Sequence, residues 1–254
     1  MSTTQPVTWS DYAAALFDLD GVVTPTAEVH MRAWAEMFDA FLTDYSAAHP
    51  EAAQAPYSDA DYFAHVDGKP RYDGVRDFLS SRGIGLPEGN DDDPGTAETV
   101  KGLGNRKNDA FNTVLDRDGV TAYPGSVALL DHLRELGIPL AVVSSSANAP
   151  AVLDAAGLSD RFTTVVSGAV ATERGLPGKP APDTFVYAAE MLGATPTTSV
   201  VLEDAVSGVR AGRAGDFGMV IGVDRGAGEA TLSEAGADLV VADLAELVPE
   251  GEDS

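Results

Sequence analysis

Short aliphatic runs recur along the chain, and each stops abruptly at polar or charged residues. Ala13–Phe17 (AAALF) ends at Asp18-Leu19-Asp20-Gly21, Leu140–Val143 (LAVV) at Ser144-Ser145-Ser146, and Ser199–Leu202 (SVVL) at Glu203-Asp204. Met219–Val223 (MVIGV) ends at Asp224-Arg225-Gly226, and Asp238–Val241 (DLVV) is a further short run. Near-continuous aliphatic stretches of this length predict strands buried on both faces, the pattern of a parallel sheet. Helical spacing lies between them. Within 124–137, Val127, Leu130, Leu133 and Leu136 recur about a turn apart, with Pro124 near the start and Gly137 at the end. Within 182–193, Phe185, Ala188, Ala189 and Leu192 repeat the pattern. Strands alternating with helices predict an α/β fold with a doubly wound parallel sheet.

Residues 28–117 read differently. They hold helical patterns over 30–48 and 105–116, no clear aliphatic strand, and a polar loop rich in turn formers, Pro87–Thr96 (PEGNDDDPGT). The expectation is a small helical cap domain, 28–117, inserted after the first strand of a core domain made of 1–27 and 118–254. The two crossings between them would act as a hinge. Trp34, Phe38 and Phe41 read as the packed face of a cap helix. The Gly102-Leu103-Gly104-Asn105-Arg106-Lys107 run lacks a preceding strand and a Gly-Lys-Ser/Thr ending, so it does not read as a phosphate loop. The final PEGEDS reads as a solvated tail.

Composition narrows the function classes. The 254 residues carry 40 Asp and Glu against 16 Lys and Arg, a formal net charge of -24. Such a field repels phosphate backbones and anionic lipid, so neither nucleic acid nor a membrane surface is an expected partner. The absence of Cys excludes disulfides, thiolate catalysis and Cys-zinc sites. No apolar run approaches the roughly 18–20 residues needed to span a bilayer, and the first residues lack a basic segment followed by an apolar core. A cytoplasmic monomer is expected.

Ligands of open parallel sheets bind outside the carboxyl ends of the strands. The residues there are Asp18 and Asp20, Ser144, and Glu203 with Asp204. Carboxylates converging on one edge repel one another unless a cation sits among them, and an all-oxygen donor set selects a hard ion such as Mg²⁺. In an Asp-x-Asp after a strand, the first carboxylate can attack phosphorus and the second can move a proton to and from the leaving oxygen. Alone, the pattern fits equally well with two exposed aspartates before a glycine turn. The other segments shift that balance. Ser144, with Asn148-Ala149-Pro150 opening a helix, can cradle a phosphate. Lys179, one of four lysines, lies in a proline-flanked loop (PGKPAPD) and can neutralise both nucleophile and phosphoryl group.

DLDGVVT, VVSSS, GKPAPD and LEDAVSGVRAG, in this order, resemble the four signature motifs of the haloacid dehalogenase superfamily, over nearly the whole chain. Thr26-Ala27-Glu28-Val29-His30, the Arg71 region (VDGKPRYDGVRDFL) and Arg106-Lys107-Asn108-Asp109 further resemble the β-phosphoglucomutase group within it. The resemblance implies a Rossmann-like core, a helical cap, Mg²⁺ and an aspartyl-phosphate intermediate. It implies Asp18 as nucleophile and metal ligand, and Asp20 as general acid/base with its backbone carbonyl on the metal. Ser144 and Lys179 would hold the transferring phosphoryl group, with Glu203 and Asp204 completing the metal site. Thr26 and His30 would position Asp20, and Arg71 would bind the second, non-transferring phosphate. Lys107 would reach the cap interface, and Ser145, Ser146 and Asn148 would line the substrate loop. One departure is Ala147, where mutases of the group carry a lysine. The expected reaction converts β-glucose 1-phosphate to glucose 6-phosphate; the alternative is a small sugar-phosphate phosphatase. Either way the expected partner is a phosphorylated sugar.

Overall fold

The computed structural model describes residues 7–249. The expectations for the first six residues and for the tail beyond Pro249 lie outside the described residues. The chain divides into two compact units, Met1–Pro25 with Val120–Ser254, and Thr26–Gly119. In chain order the elements are β1 (Ala14–Phe17), α1 (Thr26–Ala48), α2 (Asp59–Asp61), α3 (Arg71–Ser81) and α4 (Val100–Asp118). Then come α5 (Pro124–Glu135), β2 (Leu140–Val143), α6 (Ala149–Ala155), β3 (Thr164–Val166), α7 (Gly168–Arg174) and α8 (Asp183–Met191). The chain continues through β4 (Ser199–Glu203), α9 (Val206–Ala214), β5 (Met219–Val223), α10 (Glu229–Ala235) and β6 (Leu239–Val241).

The first unit is a six-stranded, all-parallel sheet in the order β3-β2-β1-β4-β5-β6, with helices flanking it. β1, β2 and β4 are buried at every position, which is why their sequences read as unbroken aliphatic runs. β3 had no such signal. Two of its three residues are only half-buried, and Thr164 opens it. The order reverses between β1 and β4, and a doubly wound sheet opens its crevice at that switch point. Register then sets the chemistry: Phe17 pairs with Leu202 and with Val142, so Asp18, Glu203 and Ser144 emerge side by side at one edge. Leu16, Ala141, Val143, Val201 and Val220 from the strands pack with Phe185, Ala188 and Val209 from α8 and α9 as the core.

The second unit is helical and has its own core. Trp34, Phe38 and Phe41 of α1 pack with Val75, Phe78 and Leu79 of α3 and with Val100 and Leu103 of α4. The helices start and end where the residue chemistry allows. Thr99 caps α4 by accepting from the Gly102 amide, and Gly119 ends it at a positive φ. α4 begins five residues earlier than its periodicity suggested, because Gly102 and Gly104 dilute the apolar pattern there. α3 had no assigned signal, since its mean composition is strongly polar (RYDGVRDFLSS).

A capping box opens α2: the Ser58 hydroxyl accepts from the Asp61 amide, and an Asp61 carboxylate oxygen accepts from the Ser58 amide at 2.9 Å. The same oxygen accepts from Arg82 at 2.8 Å, tying α2 to the end of α3. Burial pushes the Asp61 carboxyl up, but the bonds from Ser58 and Arg82 outweigh it and hold the group below the usual aspartate range. A depressed native value means that the contribution is complete above about pH 4 and is lost as pH falls through the native value. Asp61→Asn should therefore lower stability by about 1 kcal/mol at pH 7, after allowing for partial exposure. In denaturant titrations the gap from wild type should narrow as pH falls below about 4; a gap that showed no narrowing as the carboxyl was protonated at the acid end of the titration would refute the assignment.

Candidate functional site

The Asp18–Thr24 turn is held by its own apolar residues. Leu19, Val22 and Val23 are fully buried, and the Leu19 carbonyl accepts from the amides of Val23 and Thr24 at 2.9 and 3.0 Å. Ser126 of α5 donates to the Val22 carbonyl at 2.6 Å. The pattern of two acids alternating with buried aliphatics thereby points Asp18 and Asp20 away from the core. Gly21 is required twice over. Its φ is +89°, and a Cβ there would sit 1.8 Å from Oδ2 of Asp204. That contact places Asp204, from the end of β4, directly against the turn.

Lys179 is at the centre. It is 3% exposed, and its Nζ donates to Asp18 Oδ1 at 2.5 Å, to Glu203 Oε1 at 2.6 Å and to the Val143 carbonyl at 3.1 Å. All three ammonium protons are thus satisfied, by the ends of β1, β2 and β4. Ser144 donates to Asp20 Oδ2 at 3.4 Å and accepts from the Ser146 amide at 3.0 Å. The core unit therefore gathers Asp18, Asp20, Ser144, Lys179 and Glu203 into one connected group, with Asp204 beside it.

One ammonium faces two buried carboxylates, so negative charge is in excess. Burial raises the Asp18 carboxyl well above the usual range; Glu203 and Asp20 raise it further, and Lys179 pulls against them. Burial disfavours the Lys179 ammonium, but the charges and hydrogen bonds of Asp18 and Glu203 outweigh it and raise its value. An all-oxygen group with surplus negative charge fits a hard divalent cation. Glu203 is also bound within the protein: one of its oxygens binds Lys179, and the other accepts from the Ala205 amide at 2.7 Å. Gly208 leaves it room, since a Cβ there would meet Glu203 Oε1 at 1.7 Å. Each Glu203 oxygen keeps a further lone pair, so Glu203 remains beside Asp18, Asp204 and the Asp20 carbonyl as an oxygen donor that a cation could use.

The loop after β2 folds back on its own hydroxyls. The Asn148 amide donates to Ser146 Oγ at 3.1 Å, and the Gly168 amide donates to the Ser146 carbonyl at 3.0 Å. Asn148 occupies the cap position of α6, but its side chain makes no cap bond, and α6 has seven residues. Ser145, Ser146 and Asn148 are half-buried, and Ala147 is exposed.

The remaining expected residues lie in the helical unit. Thr26 is buried at the start of α1. On the same helix, the His30 ring stacks on Phe111 at 4.0 Å between centroids, and its Nδ1 is hydrogen-bonded to Lys107 Nζ. Lys107 is buried, 5.1 Å from the Trp34 ring centre and 5.2 Å from that of Phe111. Trp34 is thus both core and a platform for Lys107. Arg71 opens α3 and donates to the Tyr72 hydroxyl at 3.0 Å.

Sequence reasoning overlooked Arg225. Its Nε donates to the Gly21 carbonyl at 2.9 Å and its Nη1 to the Ala242 carbonyl at 3.0 Å, while its guanidinium lies 4.0 Å from the centre of the Tyr123 ring. It locks the Asp-x-Asp-Gly turn to the ends of β5 and β6. The available signal was positional, since Arg225 follows the fourth aliphatic run as the other site residues follow theirs.

A family model described as haloacid dehalogenase-like hydrolase matches residues 12–216. A β-phosphoglucomutase of Mycobacterium bovis is 52% identical over 239 residues, 92% of this chain and 91% of that protein. Hexitol phosphatase A of Escherichia coli is 31% identical, with 91% of each chain covered. Among solved structures, a β-phosphoglucomutase from Clostridium difficile superposes with a TM-score of 0.73 at 24% identity, over 93% of each chain, a likeness of fold.

Removing Lys179 leaves Asp18 and Glu203 buried without a counter-ion, a change that typically costs about 3–5 kcal/mol. Lys179→Met should lower the unfolding free energy at pH 7 by about 3 kcal/mol. An unchanged denaturant midpoint would show that the ammonium is not what holds the three strand ends together.

Proposed function

The chain belongs to the haloacid dehalogenase-like hydrolase family, and on that premise we propose that it is a β-phosphoglucomutase, interconverting β-glucose 1-phosphate and glucose 6-phosphate. The observation that carries the chemistry is the buried Lys179 bridging Asp18 and Glu203 beside the Asp-x-Asp turn. The 52% identity over nine-tenths of the chain supports the substrate class.

In the proposed reaction Asp18 is the nucleophile. Phosphorylated Asp18 gives its phosphoryl group to the 6-hydroxyl of β-glucose 1-phosphate: Asp20 takes the hydroxyl proton, a P–O(sugar) bond forms and the P–O(Asp18) bond breaks. The bisphosphate reorients, an Asp18 carboxylate oxygen attacks the phosphorus at the 1-position, a P–O(Asp18) bond forms and the P–O(sugar) bond there breaks, with Asp20 returning the proton to the departing sugar oxygen. Ser144 and Lys179 hold the transferring phosphoryl oxygens, and Lys179 offsets charge as it builds. Glu203 aligns Lys179 and anchors the turn into α9. A magnesium ion, which Asp18, Asp204 and the Asp20 carbonyl would hold with Glu203 beside them, would supply further charge neutralisation. Thr26, His30 and Lys107 position the acid/base, Arg71 takes the phosphate that is not transferred, and Ser145, Ser146 and Asn148 contact the sugar. One chain carries every residue in the scheme, which suits a monomer. Among the described residues no helix is long and apolar enough to cross a membrane, and a phosphosugar reaction of this kind suits the cytoplasm.

Ala147 favours a second reading. A chain lacking that loop cation holds a bisphosphate less firmly, and water would then discharge Asp18, making the protein a sugar-phosphate phosphatase. One assay separates the two. With Mg²⁺, β-glucose 1-phosphate and a trace of glucose 1,6-bisphosphate, glucose 6-phosphate should accumulate without matching inorganic phosphate; phosphate released in step with substrate loss would sink the mutase. Asp18→Asn should abolish turnover, a loss of at least about 10⁴-fold, since no acyl phosphate can form. Its circular dichroism should stay native, and wild-type turnover would overturn the nucleophile assignment.

A further inference from the structure

Building on the proposed role of Arg71 as ligand of the non-transferring phosphate, we infer that the polar loop at 87–96 aims this arginine through Asn105 and Tyr72. The loop, Asn105 and Tyr72 are then specificity-determining positioning elements that favour a sugar carrying two phosphates.

The hydrogen bonds run in one direction. Asn105 Nδ2 donates to the carbonyls of Asp91 at 3.0 Å and Asp93 at 2.9 Å. Two carbonyls admit only the amide nitrogen on that side, so Oδ1 must face the other way. It accepts from the Tyr72 hydroxyl at 2.9 Å. Having given its only proton to Asn105, that hydroxyl can act towards Arg71 only as an acceptor, and Arg71 Nη2 donates to it at 3.0 Å. The loop carbonyls thereby fix the sense of every bond up to the guanidinium, and aligned bonds of this kind strengthen one another.

Packing holds the same geometry. The Tyr72 ring lies so close to α4 that a Cβ on Gly104 would come within 2.7 Å of it and within 3.4 Å of Arg71 Cγ. Glycine in a helix interior is otherwise disfavoured; at position 104 it admits the ring. The loop is pinned independently. Arg106 Nε donates to the Gly95 carbonyl at 2.6 Å, Thr99 donates to Asp93 Oδ2 at 2.6 Å, and Lys101 pairs with Asp91 at 2.9 Å. Meanwhile Arg71 Nε is buried and meets no protein acceptor. A buried donor of this kind calls for a ligand oxygen, and a guanidinium already held in place binds phosphate with less ordering cost.

The test compares a two-phosphate ligand with a one-phosphate ligand. Tyr72→Phe keeps the ring on Gly104 and removes only the relay hydroxyl. In the mutase assay it should raise the half-saturating concentration of glucose 1,6-bisphosphate about fivefold, the effect of one ordinary hydrogen bond. The KM for p-nitrophenyl phosphate should stay within about twofold of wild type on the same reasoning. Asn105→Ala should behave alike, and Tyr72→Phe added to Arg71→Ala should have no further effect. Equal effects of Tyr72→Phe with and without Arg71, or a parallel rise in KM for both ligands, would overturn the inference. If Arg71→Ala raises the bisphosphate requirement while Tyr72→Phe does not, the relay alone fails. If Arg71→Ala leaves it unchanged, the phosphate role of Arg71 fails first, and the relay with it.

Discussion

The ammonium of Lys179 is the point on which the core unit turns. Three strands of a parallel sheet end in a carboxylate, a carbonyl and a second carboxylate, and the ammonium binds all three. Without it the strand ends would repel, because burial removes the water that would otherwise screen Asp18 and Glu203. With it, a surplus of negative charge still remains, and that surplus is useful. It suits a divalent cation, and in the proposed reaction it keeps the Asp18 carboxylate beside a positive charge that a phosphoryl group would share. Burial at this site therefore serves folding and chemistry through the same contacts.

Around that group, small residues decide how closely the segments approach. Gly21 lets the Asp-x-Asp turn meet Asp204, and Gly208 lets α9 pass Glu203. Arg225 closes the arrangement from the far side by bonding the Gly21 carbonyl and stacking on Tyr123. The helical unit follows a different logic. Its core is aromatic and self-contained, and its polar residues are arranged in directed pairs and chains on that core: His30 with Lys107, and Arg71 with Tyr72 and Asn105. The acidic loop at 87–96, which reads as mere turn chemistry, is bound down by the first turns of α4.

Five of the six strands could be read from the chain because each is aliphatic at nearly every position, as a strand buried on both faces must be. β3 escaped because it is short and opens on Thr164, whereas β6, just as half-buried, is Leu-Val-Val throughout. The helices with clean periodicity, α1, α5 and α8, were visible, whereas α3 and the start of α4 were masked by charged residues and by glycines that allow close packing. The charge-bearing residues at strand ends could likewise be picked out in advance, since a parallel sheet delivers the ends of its strands to one edge whatever the detailed packing. Glu203 shows what position alone leaves open: its type and place suggested a cation ligand, and the fold also sets its two oxygens against Lys179 and the Ala205 amide.

The linear pattern alone determined the α/β architecture, the edge on which chemistry would gather and the residue types available to it. These follow from local periodicity and from a rule that holds for every parallel sheet. Tertiary structure decided the division of labour: which carboxylate anchors, which arginine braces the turn, and how a loop reaches Arg71 through two intervening side chains. Hydrogen-bond direction and close approach depend on which distant segments meet, and to within a few tenths of an ångström. Spacing along a chain carries no information at that scale.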